Sequence, residues 1–412
     1  MSSTASSHPA HPPLPLWQIL LCGALIVTLS MGVRHGFGLW LQPMTQANDW
    51  TREHFSFAMA VQNLAWGFSG IFAGMLADRY GAFKVLVGCA LLYALGLLGM
   101  AYSSTPLLLA LTCGILIGMA QAGTTYAVIY GVIGRNAPVE KRSWAMGVAA
   151  AAGSFGQFLM VPVEGWLIAT AGWQLALVWL SMAALLIVPL AWGLREPGFH
   201  GSAPRQREQS VAEALREAFG HPSFLLLITG YFVCGFQVVF IGVHMPSYLR
   251  DYGFSPQVAS YSLALIGLFN VFGSYLTGSL GQRMSKKYIL AFIYLARSLV
   301  IIIFLLVPLS PASVYIFSAV MGFLWLSTVP PTNALVAQVF GVAHLSMLGG
   351  VAFFSHQIGS FLGVWLGGML YDQTGSYDIV WYLAIALGLL AAALNLPIRE
   401  TAIARPTRVM AS

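Results

Sequence analysis

The sequence predicts an all-α membrane protein in which twelve transmembrane helices form two pseudo-symmetric six-helix bundles. Composition, the spacing of the apolar runs and a repeat between the two halves predict it. Of 412 residues, 58% are hydrophobic and 8% charged, and the mean hydropathy is +0.78. A soluble chain would carry about 25% charged residues, so a water-soluble globule is excluded. The apolar runs reach the roughly 20 residues that a spanning helix needs. None alternates in the manner of barrel strands.

Taken in order, the spans fall at about 17–44, 54–77, 83–103, 106–134, 142–170, 173–194, 223–250, 256–281, 287–308, 311–340, 346–371 and 377–397. Residues 1–16 hold no Lys or Arg and no cleavage pattern behind a short apolar core, so they read as a disordered cytoplasmic tail and not as a removed signal peptide. The first bundle is 17–194, the second 223–398, and a second cytoplasmic tail follows at 399–412. Between the bundles lies the only long polar gap, a cytoplasmic linker at 195–222 that begins "REPGFHGSAPRQREQS". Within it, Ser210 and Glu213 have the spacing of a capping box and open a short amphipathic helix. Cys22, Cys89, Cys113 and Cys234 all lie in apolar segments at no metal-ligand spacing. They read as small packing residues; no disulfide, metal or cofactor is expected.

Charge sets the orientation. With the N-terminus inside, fifteen of the Lys and Arg residues fall on the cytoplasmic side and only Arg52 and Arg250 outside, as the positive-inside rule requires. Both termini are then cytoplasmic in a multi-pass cell-membrane protein, the inner membrane if the source is bacterial. The formal charge of +6 implies contact with the anionic inner leaflet of the bilayer and no nucleic acid.

The halves repeat. A shift of 203 residues brings Gly32, Arg34 and Pro43 onto Gly235, Gln237 and Pro246. The same shift brings Gly156, Phe158, Gly165 and Gly172 onto Gly359, Phe361, Gly368 and Gly375. Parallel six-helix repeats suit a transporter that rocks about a midplane site.

The loop "GMLADRYGAFK" (74–84) resembles the signature loop of the major facilitator superfamily, and the resemblance extends over nearly the whole chain. Three stretches are similar to its monocarboxylate and oxalate–formate branch: "GVRHGFGLWLQP" in the first span, "EKRSWAMGVAAAAGSFGQ" (140–157) and "LYDQTGSYD" (370–378). The resemblance implies an inner gate at Asp78 and Arg79, where charges at helix ends stabilise the outward-open state. It also implies a substrate-contacting or protonatable residue at His35, and a basic residue near His356 that helps to hold an anion. Many members of the branch carry an Asp and an Arg one turn apart on the eighth span; this chain has Asn270 and Ser274 there. The anchoring charge must come from elsewhere, or the substrate is not a simple carboxylate.

Few residues can supply it. An ionisable group inside a span is a functional-site hypothesis by default, and Arg34 and His35 interrupt an otherwise uncharged first span. Snorkelling or pairing with a carbonyl is the other account of Arg34. His356 stands ten residues into the eleventh span, about 15 Å along its axis and so near mid-bilayer. Arg297 is also central, but on a peripheral span, where pairing with another helix competes with a substrate role. Tyr126, Gln237, Asn270 and Gln357, with Gln62, Asn63 and Trp325, are polar residues that line a cavity or hydrogen-bond between helices. Glu164 reads either as a gate or proton site, or as a solvated carboxylate near the outer interface.

The expected function is secondary active transport of a small organic anion, a monocarboxylate above all, by alternating access and coupled to a proton, with His35 or His356 titrating. Arg34 and His356 would contribute positive charge from either half. Export of an amphipathic drug-like compound and anion exchange without proton coupling are the alternatives. No GxxxxGK[ST] loop is present, so ATP is not the direct energy source; enzymatic motifs are likewise lacking. A monomer is expected.

Overall fold

The computed structural model describes residues 14–196, 209–341 and 344–403. Most of the expected tails, and the linker cations Arg205 and Arg207, lie outside the described residues. Twelve long helical segments follow one another. In the first half they are Leu16–Asn48, Arg52–Tyr80, Ala82–Ala101, Pro106–Asn136, Val139–Ala171 and Trp173–Trp192. In the second they are Pro222–Asp251, Pro256–Leu280, Lys286–Leu306, Pro311–Phe340, Leu345–Thr374 and Asp378–Asn395. Among the described residues, eleven are long and apolar enough to cross a membrane. The second, Arg52–Tyr80, is 29 residues long but more polar. It lies against the fourth and eleventh spans, where Gln62 and Asn63 are fully buried, so protein rather than lipid surrounds its polar face.

Local chemistry sets the ends. Thr51 caps the second span through a reciprocal contact with His54. The capping box between Ser210 and Glu213 forms as the spacing predicts and starts the helix Val211–Phe219. Gly81, in the signature loop, has φ +90° and turns the chain where a side chain would be strained.

The repeat is physical. The first span crosses the fifth where Gly32 meets Met160 and the carbonyl of Gly156, and where Gly156 meets the carbonyl of Thr28. The seventh crosses the eleventh where Gly235 meets the carbonyl of His356 and Gly359 that of Phe232. A Cβ at any of these would fall under 3 Å from its neighbour, so the glycines aligned by the 203-residue shift are the crossing points of equivalent helix pairs.

Four spans drawn as continuous from the sequence are interrupted; the sixth turns at 185–186, between Trp173–Ala184 and Ile187–Trp192. The first stops at His35, passes through a 3₁₀ turn Phe37–Trp40 and resumes at Leu41–Asn48. In the fourth, a π-helical stretch Ala110–Leu116 leaves the Cys113 carbonyl to accept from Gln62 Nε2 at 2.8 Å, and Thr125 breaks the helix before Tyr126–Asn136. The tenth breaks between Pro311–Leu324 and Val329–Phe340. Broken spans expose backbone groups at membrane depth, which need polar partners.

The halves touch on both flanks. Gln157 Nε2 donates to the Leu263 carbonyl at 2.9 Å, Ser260 Oγ to that of Val161 at 3.1 Å, and Asn270 Nδ2 to Ser154 Oγ at 2.8 Å. On the other flank the Trp66 ring meets Phe353 edge-on, centroids 5.2 Å apart. Toward the face where Glu196 and the helix Val211–Phe219 lie, here the basic face, glycines of both halves have no neighbour. A Cβ added at Gly70, Gly74, Gly147 or Gly350 would meet nothing within 4 Å. Among the described residues no hydrogen bond crosses between the halves on that side of Asn270 and Trp66. The bundle is closed on the opposite face and open on the basic face.

Candidate functional site

Arg34 lies in the last turn of the first helix of the first span, two residues before the break at Gly36. Its Nη2 donates to Asn63 Oδ1 at 2.6 Å, the guanidinium lies 4.6 Å from the Trp66 ring centroid, and buried Nε has no partner. No carboxylate pairs with it among the described residues. The charge is therefore held by a neutral amide and an aromatic face, with donors left over. His35 Nδ1 lies 2.6 Å from the Met31 carbonyl. A carbonyl only accepts, so this nitrogen carries the hydrogen and Nε2 is the acceptor. Tyr126 opens the second half of the fourth span, stacks obliquely on Tyr130 at 5.6 Å, and sets its hydroxyl against Gly153.

In the second half, the His356 ring stacks on Phe353 at 5.9 Å and 10°, while Nδ1 lies 3.2 Å from Gln357 Oε1; Nε2 and Gln357 Nε2 are buried without partners. Arg34, Trp66, Phe353 and His356 thus form one continuous run of ring contacts across the junction of the halves, edge-on between Trp66 and Phe353. The two cationic candidates of the sequence are brought to the same level, at the floor of the opening, with an unfilled donor on Arg34 and an unpartnered Nε2 on His356. Asn270 sits on the other flank. Its Oδ1 accepts from Leu326 N at 2.9 Å, in the break of the tenth span, and from Ser274 Oγ at 3.1 Å. The pair that replaces an Asp and an Arg is hydrogen-bonded to itself.

Arg297 and Gln237 are not brought to this site. Arg297 is fully buried; Nε and Nη2 donate to the Leu324 carbonyl at 3.1 and 2.7 Å, Nη2 also to that of Trp325, and Nη1 reaches Gln237 Oε1. Gln237 Nε2 donates to the Ala384 carbonyl at 2.8 Å. The guanidinium caps the broken end of the tenth span, where a cation satisfies carbonyls that have lost their helical donors. Of the two accounts open for Arg297, helix pairing is the one the geometry supports.

Asp78 Oδ1 accepts from Arg135 at 2.6 Å, and Arg135 also binds Glu196 at 3.0 Å. All three belong to the first half, at its basic end. Arg79 is exposed and lies over the Tyr80 ring at 5.3 Å. Glu164 is not solvated: it is 0% exposed, and its carboxyl fills the space that the missing side chain of Gly36 leaves.

The closed face holds a network that sequence reasoning missed. Arg52 donates to both oxygens of Asp251 at 2.6 and 2.8 Å and to the Tyr377 hydroxyl at 2.7 Å, with its guanidinium 3.7 Å from the Tyr371 centroid. The backbone N–H groups of Arg52 and Glu53 donate to the Asp372 carboxylate at 3.1 and 2.7 Å. An acid of the eleventh span thus caps the second span across the junction. Asp372, Tyr371 and Tyr377 all come from "LYDQTGSYD", which was the available signal. Arg52→Gln is expected to remove about 2 kcal/mol of this pairing and raise the fraction open on this face roughly thirtyfold. Distances between spin labels at the ends of the second and seventh spans test it; an unchanged distribution would make the contact incidental.

The profile of the Major Facilitator Superfamily matches residues 20–364. The chain belongs to that superfamily. As a member of it, the chain is a membrane transporter with no indicated catalytic activity. It is similar to the MFS-type transporter YcxA of Bacillus subtilis, 24% identical over 392 residues that cover 93% of this chain and 95% of the relative. It is also similar to monocarboxylate transporter 13 of Bos taurus, 25% identical, covering 89% and 85%. Among solved structures, a bacterial homolog of the human lysosomal transporter Spinster, crystallised inward-facing, shares the fold with a TM-score of 0.72. The two are 16% identical over 93% of this chain and 98% of that one.

Proposed function

We propose that this superfamily member carries a small organic anion, a monocarboxylate, by alternating access coupled to protons, as a multi-pass protein of the cell membrane with both termini in the cytoplasm. The positive-inside asymmetry then makes the basic face cytoplasmic, and the structure an inward-open state. The observation that carries the reading is the Arg34 guanidinium, at the floor of the opening, paired with no carboxylate among the described residues and facing His356 across Trp66 and Phe353. A carboxylate that enters supplies the missing counter-charge. Its second oxygen can accept from the unpartnered Gln357 Nε2 beside His356, and a ligand held from both halves would draw them together. Monocarboxylate transporters among the relatives favour the same substrate class.

Asp78 and Arg79 are kept as the cytoplasmic gate. In the inward-open state their half of the latch is disengaged from the other bundle, and Asp78 rests on Arg135. Uptake of labelled monocarboxylates into proteoliposomes, with and without an inward-directed proton gradient, tests the proposal. Saturable uptake accelerated by the gradient is expected. Transport of amphipathic cations or neutral drugs with no carboxylate uptake would overturn it, and gradient-independent exchange would remove the proton.

A further inference from the structure

Glu164 is a second site, set against Gly36 at the break that follows Arg34. It is fully buried, and neither carboxyl oxygen has a hydrogen-bond partner. Its carboxyl fills the space where a side chain on Gly36 would stand: a Cβ built there would lie 1.3 Å from Oε2 and 2.5 Å from Cδ. The next residue, Gly165, packs on Ser260 of the eighth span, whose Oγ donates to Val161 at 3.1 Å. Two residues past Gly36, Gly38 lies against the Gly242 and Val243 carbonyls of the seventh span. The carboxyl is therefore enclosed by the same helices whose contacts shut the outer face.

The groups around it do not neutralise it. From the first span come Arg34, turned to Asn63 and Trp66, and His35, bonded to Met31. The third span contributes Tyr93, whose hydroxyl donates to the Ser30 carbonyl at 2.9 Å. The eighth presents Ser260, and the seventh presents backbone. The symmetry mate of Glu164 is Gly367, where the second half instead places His244, fully partnered by Tyr377 and the Val364 carbonyl. One half has a satisfied histidine in its outer seal, the other a lone carboxyl.

We propose that Glu164 is a proton-binding site through which the outer pH controls closure of the outer face. An unpaired carboxylate is too costly to enclose, whereas the neutral acid is not. Parting of Gly165 from Ser260 and of Gly38 from the seventh span brings water to the carboxyl, which ionises. Closure returns only after water on that side gives up one proton to a carboxylate oxygen. This deepens the proton-coupled reading above and names the group, in place of His35 or His356, that takes the proton.

The test needs no substrate. Spin-label distances across the outer ends of the second and seventh spans are recorded against pH in the full chain. For the wild type, the open-to-closed ratio is expected to rise about tenfold per pH unit above its midpoint, as one proton requires. Glu164→Gln, an isosteric neutral amide, is expected to stay closed at every pH. Retention of the wild-type slope in Glu164→Gln would overturn the proposal and leave His35 or His244 as the titrating group. Should that variant fail to fold, Glu164→Asp and Gly36→Ala, which move the carboxyl, are expected to shift the midpoint, and an unmoved midpoint in both would overturn it equally. If closure follows Glu164 while proteoliposomes take up no carboxylate, the transport reading fails and this one stands.

Discussion

Arg34→Gln is expected to weaken anion binding by about 3 kcal/mol, roughly 150-fold, while leaving the protein folded. The loss is large because the anion would be desolvated at a site whose only first-half cation is gone. The fold is expected to survive because glutamine keeps an N–H donor for Asn63, the one hydrogen-bond partner that Arg34 has among the described residues. Arg34→Lys is expected to restore little, since an ammonium neither spans Asn63 and a carboxylate at once nor lies flat on Trp66 at 4.6 Å. Binding isotherms with the preferred monocarboxylate, beside melting curves, separate the two effects. Near-normal affinity in Arg34→Gln together with its loss in His356→Gln would move the anion to the second half.

Arg297→Leu is expected to do the reverse. It leaves the Leu324 and Trp325 carbonyls and Gln237 Oε1 buried without donors, each at about 1–3 kcal/mol. The tenth span is broken at that point and has no helical donor to offer. The expected outcome is a melting temperature far below that of Arg34→Gln and a poor yield of folded protein. Arg297→Lys, with three donors on one nitrogen, is expected to lie between. A wild-type melting curve with lost affinity would show that Arg297 binds substrate after all.

These two arginines look alike in the sequence: each is a lone cation in an apolar span. What separates them is where their helices break. Arg34 stands beside a break in its own span and keeps donors free; Arg297 answers a break in another span, 27 residues on. No pattern around residue 297 announces that partner. Glu164 is a similar case, since its place in the chain suggests an interface and only the missing Cβ of Gly36, 128 residues away, reveals a buried pocket. The outer latch was equally hidden, because Arg52, Asp251 and Asp372 are each ordinary charges at helix ends until the halves meet.

The sequence by itself determined that the chain is helical and membrane-embedded, and it determined the order of its spans, their repeat and the family. These follow from local or periodic quantities: hydropathy summed over about 20 residues, the bias of charge between loops, and glycines repeated at one offset where helices must approach closely. It also named Arg34, His35, His356 and Asn270, because a polar group in hydrocarbon stands out against its surroundings. The tertiary structure alone decided which of those groups have their hydrogen bonds filled, on which face the halves close, and that Glu164 is enclosed. The physical reason is that satisfaction of a buried polar group depends on atoms brought from distant segments, and the state of a rocker depends on contacts between two bundles that each sequence half specifies separately.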